Sequence, residues 1–342
     1  MASRKGPNRI EFGMTIQVYR LSASTYQDSS FFTKESELLN SIDGIRYINS
    51  MSELSDVEPY ILLSNTHTNP QDIPEQILSH TIAIIHPNSG YDNFDIPFVE
   101  KANFPIILGN PIRSHPVAEY ILGCLFQHFV SIPNQLHWNT MRKWDRSLLR
   151  DQNILILGQG TIGKILSSTL TNLTRRVVTY DPYKKEQLLK TKKITELSKE
   201  NIEKQNVVIF TQSLNEENAN KFDRSFFDSL RNDTLIINAA RGGFIIEAEL
   251  QRYLSNNPKA FAFLDVFQDE PYSPALFSKL SNINKTSHIA GVHSKLNDDI
   301  LNFEYQIVSE IAKYKKENKL EQFTEDFKEL SLKSKIEDGK FI

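Results

Sequence analysis

Short unbroken runs of apolar residues alternate with helix-length stretches along most of this chain, and they do so in two series. The first series reads 16–19, 46–48, 60–63, 82–85 and 106–108, with helical stretches such as 31–40 and 74–78 between the runs. The second opens after Asn153 with 154–157, 177–180, 207–210, 235–238 and 261–266. A strand covered on both faces reads as a continuous apolar run, whereas one with a wet face alternates. Strands of this kind separated by helices predict doubly wound parallel α/β sheets, and two series predict two such domains. The length of 342 residues agrees with that division at ~150 residues per domain.

Charge narrows the function classes. Thirty-nine Lys+Arg against 42 Asp+Glu leave a net charge of −3, without the basic excess of a general nucleic-acid binder. The single cysteine, Cys124, cannot close an intramolecular disulfide, and no Cys pairs mark a zinc site. A reducing, cytoplasmic setting without a metal is therefore expected. The apolar runs fall far short of the roughly 20 residues that a membrane-spanning helix needs, so no membrane partner is expected. Residues 1–13 are basic and lack an apolar stretch; they are expected to be a disordered leader or a non-native addition. Pro116 reads as a helix start with Glu119 in the first turn, followed by a nearly all-apolar helix to about Val130. Such a helix is either central core or an oligomer contact. From Asn297 a helical pattern (Ile300, Phe303, Ile307, Ile311) gives way to a Lys/Glu-rich stretch, expected to be a solvated helix and a loose end.

The sharpest local signal is Ile154-Leu155-Ile156-Leu157-Gly158-Gln159-Gly160-Thr161-Ile162-Gly163. Glycines at this spacing recur by chance, but here an apolar strand precedes them and an amphipathic helix (Ile162, Ile165, Leu166, Leu170) follows. Gly158 permits the tight turn, Gly160 lets a pyrophosphate approach the backbone, and Gly163 lets helix and strand pack closely. The helix N-terminus then offers free N–H groups to the anion. The next strand ends in Asp181, followed by Pro182; an acid there accepts hydrogen bonds from ribose hydroxyls and repels a 2′-phosphate. NAD is thus expected rather than NADP, with Lys184 and Lys185 close enough to soften the preference.

Three further strand ends carry residues of catalytic type: Arg241 after 235–238, Glu270 after 261–266, and His288 in Thr286-Ser287-His288-Ile289-Ala290-Gly291. In open α/β sheets ligands bind beyond the carboxyl ends of the strands. Taken singly, each has an ordinary reading as an ion-pair partner, a loop carboxylate or a structural histidine. Together with the glycine motif they resemble the D-isomer-specific 2-hydroxyacid dehydrogenase family. The resemblance is carried by Asn238-Ala239-Ala240-Arg241-Gly242, by Asp265-Val266-Phe267 through Glu270-Pro271, and by Thr286 to Gly291. Upstream, Asn88-Ser89-Gly90-Tyr91-Asp92-Asn93-Phe94-Asp95 and Pro116-Val117-Ala118-Glu119-Tyr120 are similar to its substrate-loop and first-helix signatures.

That resemblance implies a flavodoxin-like substrate domain (1–114 plus 297–342) with a Rossmann NAD-binding domain (115–296) inserted into it. It implies hydride transfer between NAD(H) and C2 of a small 2-oxo/2-hydroxy acid of the D-isomer type. Arg241 would grip the carboxylate and adjacent oxygen through paired donors, and His288 would be the acid–base group. Glu270, if bonded to the other imidazole nitrogen, would favour the charged ring and raise its pKa. Gly158, Gln159, Gly160, Thr161, Ile162, Gly163, Asp181, Pro182, Thr211, Ala239, Ala240 and Asp265 would line the cofactor, with Asp265 at the nicotinamide carboxamide. Asn65, Ser89, Gly90 and Arg241 would take the substrate. A homodimer through the 116–130 helix and the 138–150 arm, with Trp138 and Trp144, is implied as well.

Two departures stand out. Ser287 replaces the proline usual before the histidine, and Thr211-Gln212-Ser213-Leu214 lacks the usual proline of the cofactor-edge loop. Neither removes a reacting group. Arg113 reads as a surface residue or as a partner for an anionic substrate tail. Two other readings remain on this scaffold: an NAD-sensing, corepressor-like binding protein, and a phosphite or formate dehydrogenase. Glu270 counts against the formate branch, which has glutamine there. The substrate, the direction of reaction and the strictness of the NAD preference are not legible in motifs, because loop geometry sets them.

Overall fold

The computed structural model describes residues 15–342 except 56, 133, 135–137, 139, 142, 145 and 185–190. The expected leader at 1–13 and Lys185 lie outside the described residues. Contacts divide the chain into two units: one takes the chain up to Ile112 together with Ser294–Phe341, the other is Arg113–His293.

In the first unit β1 (Ile16–Arg20), β2 (Ile45–Ile48), β3 (Tyr60–Leu63), β4 (Thr81–His86) and β5 (Ile106–Leu108) form a parallel sheet in the order β2-β1-β3-β4-β5. Alternate residues serve opposite faces. Ile16, Val18, Ile61, Leu63, Ala83, Ile85 and Ile107 join one core cluster, while Tyr60, Leu62, Ile84, Ile106 and Leu108 join another. Both faces are covered, which is why the runs are continuous. The first cluster is roofed by helices Ser29–Asn40 and Leu296–Lys316. Asp28 caps the former by accepting from the Ser30 and Phe31 amides. The latter carries Asp298 and Asp299 in its first turn and Lys313, Lys315 and Lys316 in its last, each sign at the favourable dipole end.

One polar cluster is buried beneath those helices. The Arg20 guanidinium donates from Nε (3.0 Å to both oxygens) and Nη2 to Glu35, and from Nη2 to Glu304 Oε1 at 2.6 Å. The Tyr47 hydroxyl donates to Glu35 Oε2 at 2.5 Å. Glu35 and Glu304 have no exposed side-chain surface. Burial strips the Glu304 carboxylate of water; Arg20 opposes the effect and Glu35 adds to it, so the acid is held well above the usual carboxylate range.

In the second unit β6 (Ile154–Leu157), β7 (Val177–Tyr180), β8 (Lys192–Lys193), β9 (Val207–Phe210), β10 (Leu235–Asn238), β11 (Phe261–Leu264) and β12 (Ile283–Lys285) form a parallel sheet in the order β12-β11-β10-β9-β6-β7-β8. The alternation repeats: Leu155, Leu157, Val208, Phe210, Ile236 and Leu264 face one core, and Ile154, Ile156, Val207, Ile209, Leu235 and Phe263 the other. The chain is therefore α/β with two doubly wound parallel sheets.

Three expectations are corrected. The helix expected to start at Pro116 runs Asn110–Val130 with Pro116 inside it. Pro111, a second start signal, sits in its first turn, and Pro116 removes only one backbone bond. Strand β11 stops at Leu264, which puts Asp265 and Val266 in the following loop. The C-terminal stretch is not a loose end: a helix at Leu320–Asp326 and an antiparallel pair, β13 (Ile336–Glu337) and β14 (Lys340–Phe341), follow, with Phe323 and Leu332 buried.

Candidate active site

Between β6 and the helix Thr161–Leu170 two of the three glycines are demanded by space or conformation. Gly158 has φ +102°, and a Cβ there would lie 2.7 Å from the Gln212 backbone nitrogen. A Cβ at Gly163 would come within 2.2 Å of the Gly158 oxygen. A Cβ at Gly160 would meet nothing within 4 Å, so the backbone there faces open space. Gly160 is also the N-cap, and no side chain caps the helix, leaving its first-turn N–H groups for an anion. The cradle fits a dinucleotide pyrophosphate.

Asp181, at the end of β7, is almost buried. Its Oδ2 accepts from the Gln159 amide at 2.7 Å, and its Oδ1 accepts from the Tyr183 and Lys184 amides at 3.0 and 3.2 Å. Gln159 turns inward: its Nε2 donates to Gly158 O and Ser167 Oγ. The Thr211 hydroxyl bonds to the Leu157 and Gly158 carbonyls at 2.9 and 3.0 Å. Gln159 and Thr211, expected to line the cofactor, hold the glycine turn with their side chains. Pro182 is exposed, and Ala239 and Ala240 are small, buried residues at the end of β10.

The β10, β11 and β12 ends converge within this unit. Asn238 shapes the first turn, accepting from the Ala240 amide and donating to the Arg241 carbonyl. Gly242 packs so closely that a Cβ would lie 1.9 Å from the Phe267 carbonyl carbon, which fastens the Arg241 turn to the loop bearing Glu270. Glu270 Oε1 accepts from the Phe267 amide at 3.0 Å, and Oε2 lies 2.7 Å from His288 Nδ1. Burial pushes the Glu270 carboxyl up, but the His288 hydrogen bond and charge, the Phe267 amide and the Arg241 charge together hold it below the usual range. Glu270 is therefore an anion, and Nδ1–H of His288 donates to it. The His288 side chain is 48% exposed, and its Nε2 has no hydrogen-bond partner among the described residues. Arg241 Nη1 donates to the Ala240 carbonyl at 2.7 Å.

His288 has φ +57°, in the left-handed region that costs a non-glycine residue about 1 kcal/mol or more. Asp265 holds it there. The Asp265 carbonyl accepts from the His288 amide at 2.7 Å. Its Oδ1 accepts from Thr286 Oγ1 (2.6 Å) and Ile289 N (2.8 Å), and its Oδ2 from Ala290 N (2.8 Å). Thr286 in turn pairs with the Tyr120 hydroxyl at 2.6 Å. The side chain expected at the nicotinamide carboxamide is thus wholly buried and engaged by the histidine loop. Thr286 and Tyr120 were not singled out from sequence for this work, although both stand inside the quoted motifs. Arg113 donates to Gly291 O at 3.4 Å, against the same loop.

The first unit brings its own polar cluster to the carboxyl ends of β3 and β4. His86, fully buried, lies 2.9 Å from Ser64 Oγ through Nδ1 and 2.9 Å from Gly90 O through Nε2. A carbonyl only accepts, so Nε2 carries the proton and Nδ1 accepts from the serine. Asn93 ties the two loops by donating to Asn65 O and Thr68 O. Ser89 Oγ is buried without a partner among the described residues. Asn65 corrects an expectation: it is 1% exposed, with Nδ2 donating to Ser22 O and Oδ1 accepting from Ser22 Oγ and the His67 amide. It shapes the loop and offers no free amide. His86 was missed; a histidine closing an apolar run just before Pro-Asn-Ser-Gly was the available signal.

Comparison with known proteins follows this geometry. The family model described as D-isomer specific 2-hydroxyacid dehydrogenase, NAD binding domain, matches residues 125–290. The (S)-sulfolactate dehydrogenase of Chromohalobacter salexigens is 26% identical over 223 residues, covering 62% of this chain and 71% of that protein. The D-3-phosphoglycerate dehydrogenase of Archaeoglobus fulgidus is 23% identical over 245 residues, covering 70% of this chain but only 46% of that protein. The solved structure of D-lactate dehydrogenase from Aquifex aeolicus, complexed with NAD and lactic acid, superposes with a TM-score of 0.65 at 17% identity, covering 90% of this chain and 97% of that one. At that identity the likeness is one of fold.

Proposed function

Because residues 125–290 match the NAD-binding domain of the D-isomer specific 2-hydroxyacid dehydrogenases, we propose that this chain is a member of that family and transfers hydride between NAD(H) and C2 of a small 2-oxo/2-hydroxy acid. The observation that carries the reading is the His288 Nδ1–Glu270 Oε2 contact of 2.7 Å beside Arg241, in loops at the carboxyl end of the nucleotide-domain sheet. The cofactor, when bound, supplies or accepts the hydride. The protein's part is protonic and electrostatic. Nε2 of His288 delivers a proton to the carbonyl oxygen during reduction and removes it from the hydroxyl during oxidation. Anionic Glu270 orients the ring by accepting from its Nδ1–H. The Arg241 guanidinium, with paired donors in a plane, takes the substrate carboxylate. Ser89 and Gly90 of the first unit are assigned to substrate binding through their backbone N–H groups.

The test is a panel of 2-oxo acids with reduced NAD, followed by loss of reduced-cofactor absorbance. Tight cofactor binding with no turnover of any acid would favour a sensor; NAD-dependent oxidation of phosphite alone would favour that branch. Asp181 supports NAD over NADP, and Asp181→Ala is expected to narrow the ratio of kcat/KM for the two by on the order of tenfold. An unchanged ratio would assign the preference to another residue.

Asp265→Asn separates positioning of the histidine from cofactor contact. Asparagine has one acceptor oxygen where the loop presents three donors, so at least one donor loses its partner, at about 1–3 kcal/mol. The expected result is a kcat lowered roughly tenfold or more, with the dissociation constant of reduced NAD, read by fluorescence, nearly unchanged. Parallel loss of both would place Asp265 at the cofactor.

A homodimer through the 116–130 helix and the 138–150 arm belongs to the same proposal. Its support is apolar surface on the second unit: Phe126 is 43% exposed, Ile132 75%, Trp138 87%, Met141 79% and Trp144 44%. Among the described residues no helix is long and apolar enough to cross a membrane.

A further inference from the structure

The C-terminal stretch ends against the loop to which substrate binding has been assigned. Ser331 makes an antiparallel bridge to Ile107 of the edge strand β5. Leu332 is fully buried in the core cluster containing Tyr91, Phe94 and Phe104, and Lys333 Nζ donates to the Ala102 carbonyl. The chain then turns back on itself. Asp338 (φ +51°) and Gly339 (φ +72°) form the two-residue link between β13 and β14, and a turn with both central φ positive matches the twist of a hairpin. The hairpin sets the Phe341 ring 5.2 Å from the Tyr91 ring at an interplanar angle of 55°. Lys335 Nζ lies 5.1 Å from the centroid of the same ring. Tyr91 is 2% exposed.

Tyr91 directly follows Ser89-Gly90. Two fastenings therefore meet on adjacent residues: His86 from the end of β4 grips the Gly90 carbonyl, and the hairpin grips the Tyr91 side chain. The loop contains no helix or strand of its own between Pro87 and Asp95, so its amides are aimed by what is packed on it. A ligand carboxylate gains from N–H groups already fixed in place, because the ordering cost has been met on folding. We infer that the C-terminal hairpin is a positioning element for the 87–95 loop, with Phe341 and Lys335 acting through Tyr91 to set the Ser89 and Gly90 groups that receive the substrate carboxylate. The inference rests on the reading of that loop as substrate-binding. It assigns a role in the reaction to a segment far outside the nucleotide-domain match at 125–290.

The experiment compares wild type with Phe341→Ala, Phe341→Tyr and Lys335→Met in the full chain, by two readouts. Amide hydrogen exchange across 87–95 reports the fastening without any turnover. KM and kcat for an accepted 2-oxo acid, with the dissociation constant of reduced NAD, report its use. Phe341→Ala is expected to speed exchange in 87–95 and to raise KM roughly tenfold, the scale of a lost aromatic contact, with kcat and cofactor affinity nearly unchanged. Lys335→Met should act in the same direction more weakly, and Phe341→Tyr should restore both values. Unaltered exchange and KM in Phe341→Ala would overturn the inference, as would equal losses in KM, kcat and cofactor affinity. Faster exchange with unaltered KM would overturn the role in substrate binding. If the wild type reduces no 2-oxo acid, the proposed activity fails, while the exchange data still decide whether the hairpin holds the loop.

Discussion

His288→Ala is expected to lower kcat for 2-oxo acid reduction by about 10²–10⁴-fold, the contribution of a positioned general acid, while the affinity for reduced NAD stays close to that of wild type. The separation follows from where the groups sit. The pyrophosphate cradle is built from Gly158, Gly160 and the helix Thr161–Leu170, and none of its hydrogen bonds involves the 286–290 loop. The imidazole touches the protein chiefly through Glu270. Glu270→Gln tests the pair from the other side. It replaces the charged acceptor of the His288 Nδ1–H with a neutral amide, so kcat should fall while the dissociation constant of reduced NAD stays close to that of wild type. In the wild type, Glu270 loses its charge only below the ordinary carboxylate range, because its pKa is lowered; the acid-side fall that it causes should begin below pH ~4.5. Equal loss of turnover and cofactor affinity in His288→Ala would make the histidine a structural residue.

Arg20→Met is expected to reduce the unfolding free energy by about 3–5 kcal/mol, since it removes the cation to which both buried acids of the first unit's core are bonded. A urea titration reads this as a lower midpoint with an unchanged slope. The deficit should depend on pH with a definite sign. Glu304 has a raised folded-state pKa. The stability it confers is present below its unfolded value near 4.5 and disappears as pH climbs through the folded value. Protonating Glu304 removes its need for the cation, so the Arg20→Met deficit should shrink as pH falls through the raised Glu304 value. Glu304→Gln, with Arg20 intact, should flatten the alkaline decline of the wild type. A deficit of the same size at pH 4.5 and 7.5 would mean that lost packing, not stranded charge, is the cause.

Strands proved legible wherever both faces of a sheet are covered: 60–63, 154–157, 177–180, 207–210 and 235–238 coincide with the structure to the residue. The two edge strands of the second unit did not. Lys192–Lys193 and Ile283–Lys285 carry polar side chains and pair on one side only, so no apolar run marks them. Pro116 misled because a proline's local preference for a first turn says nothing about whether a helix already precedes it. The residues of the His288–Glu270–Arg241 group were legible as strand-end residues, and Gly158, Gly160 and Gly163 as a spacing. Burial was not. Asp265 and Asn65 are polar, stand in ligand-bearing loops and read as ligand-facing, yet both are buried and satisfy backbone amides, Asn65 in its own loop and Asp265 in the histidine loop. The C-terminal hairpin was invisible for a related reason. Phe323, Leu332 and Phe341 are isolated apolar residues among lysines and glutamates, and without periodicity they announce no element.

The three backbone amides gathered by Asp181 bear on any attempt to redesign coenzyme preference. The acid proposed to discriminate against a phosphorylated ribose is also the clasp that closes the glycine turn onto the end of β7. Deleting it to admit the bulkier coenzyme would release Gln159, Tyr183 and Lys184 together, so catalytic efficiency with both coenzymes should suffer before selectivity inverts. A switch would more readily succeed with serine or asparagine at 181, each a short acceptor able to keep part of the clasp while shedding the charge, paired with a cation introduced further along the 182–184 turn.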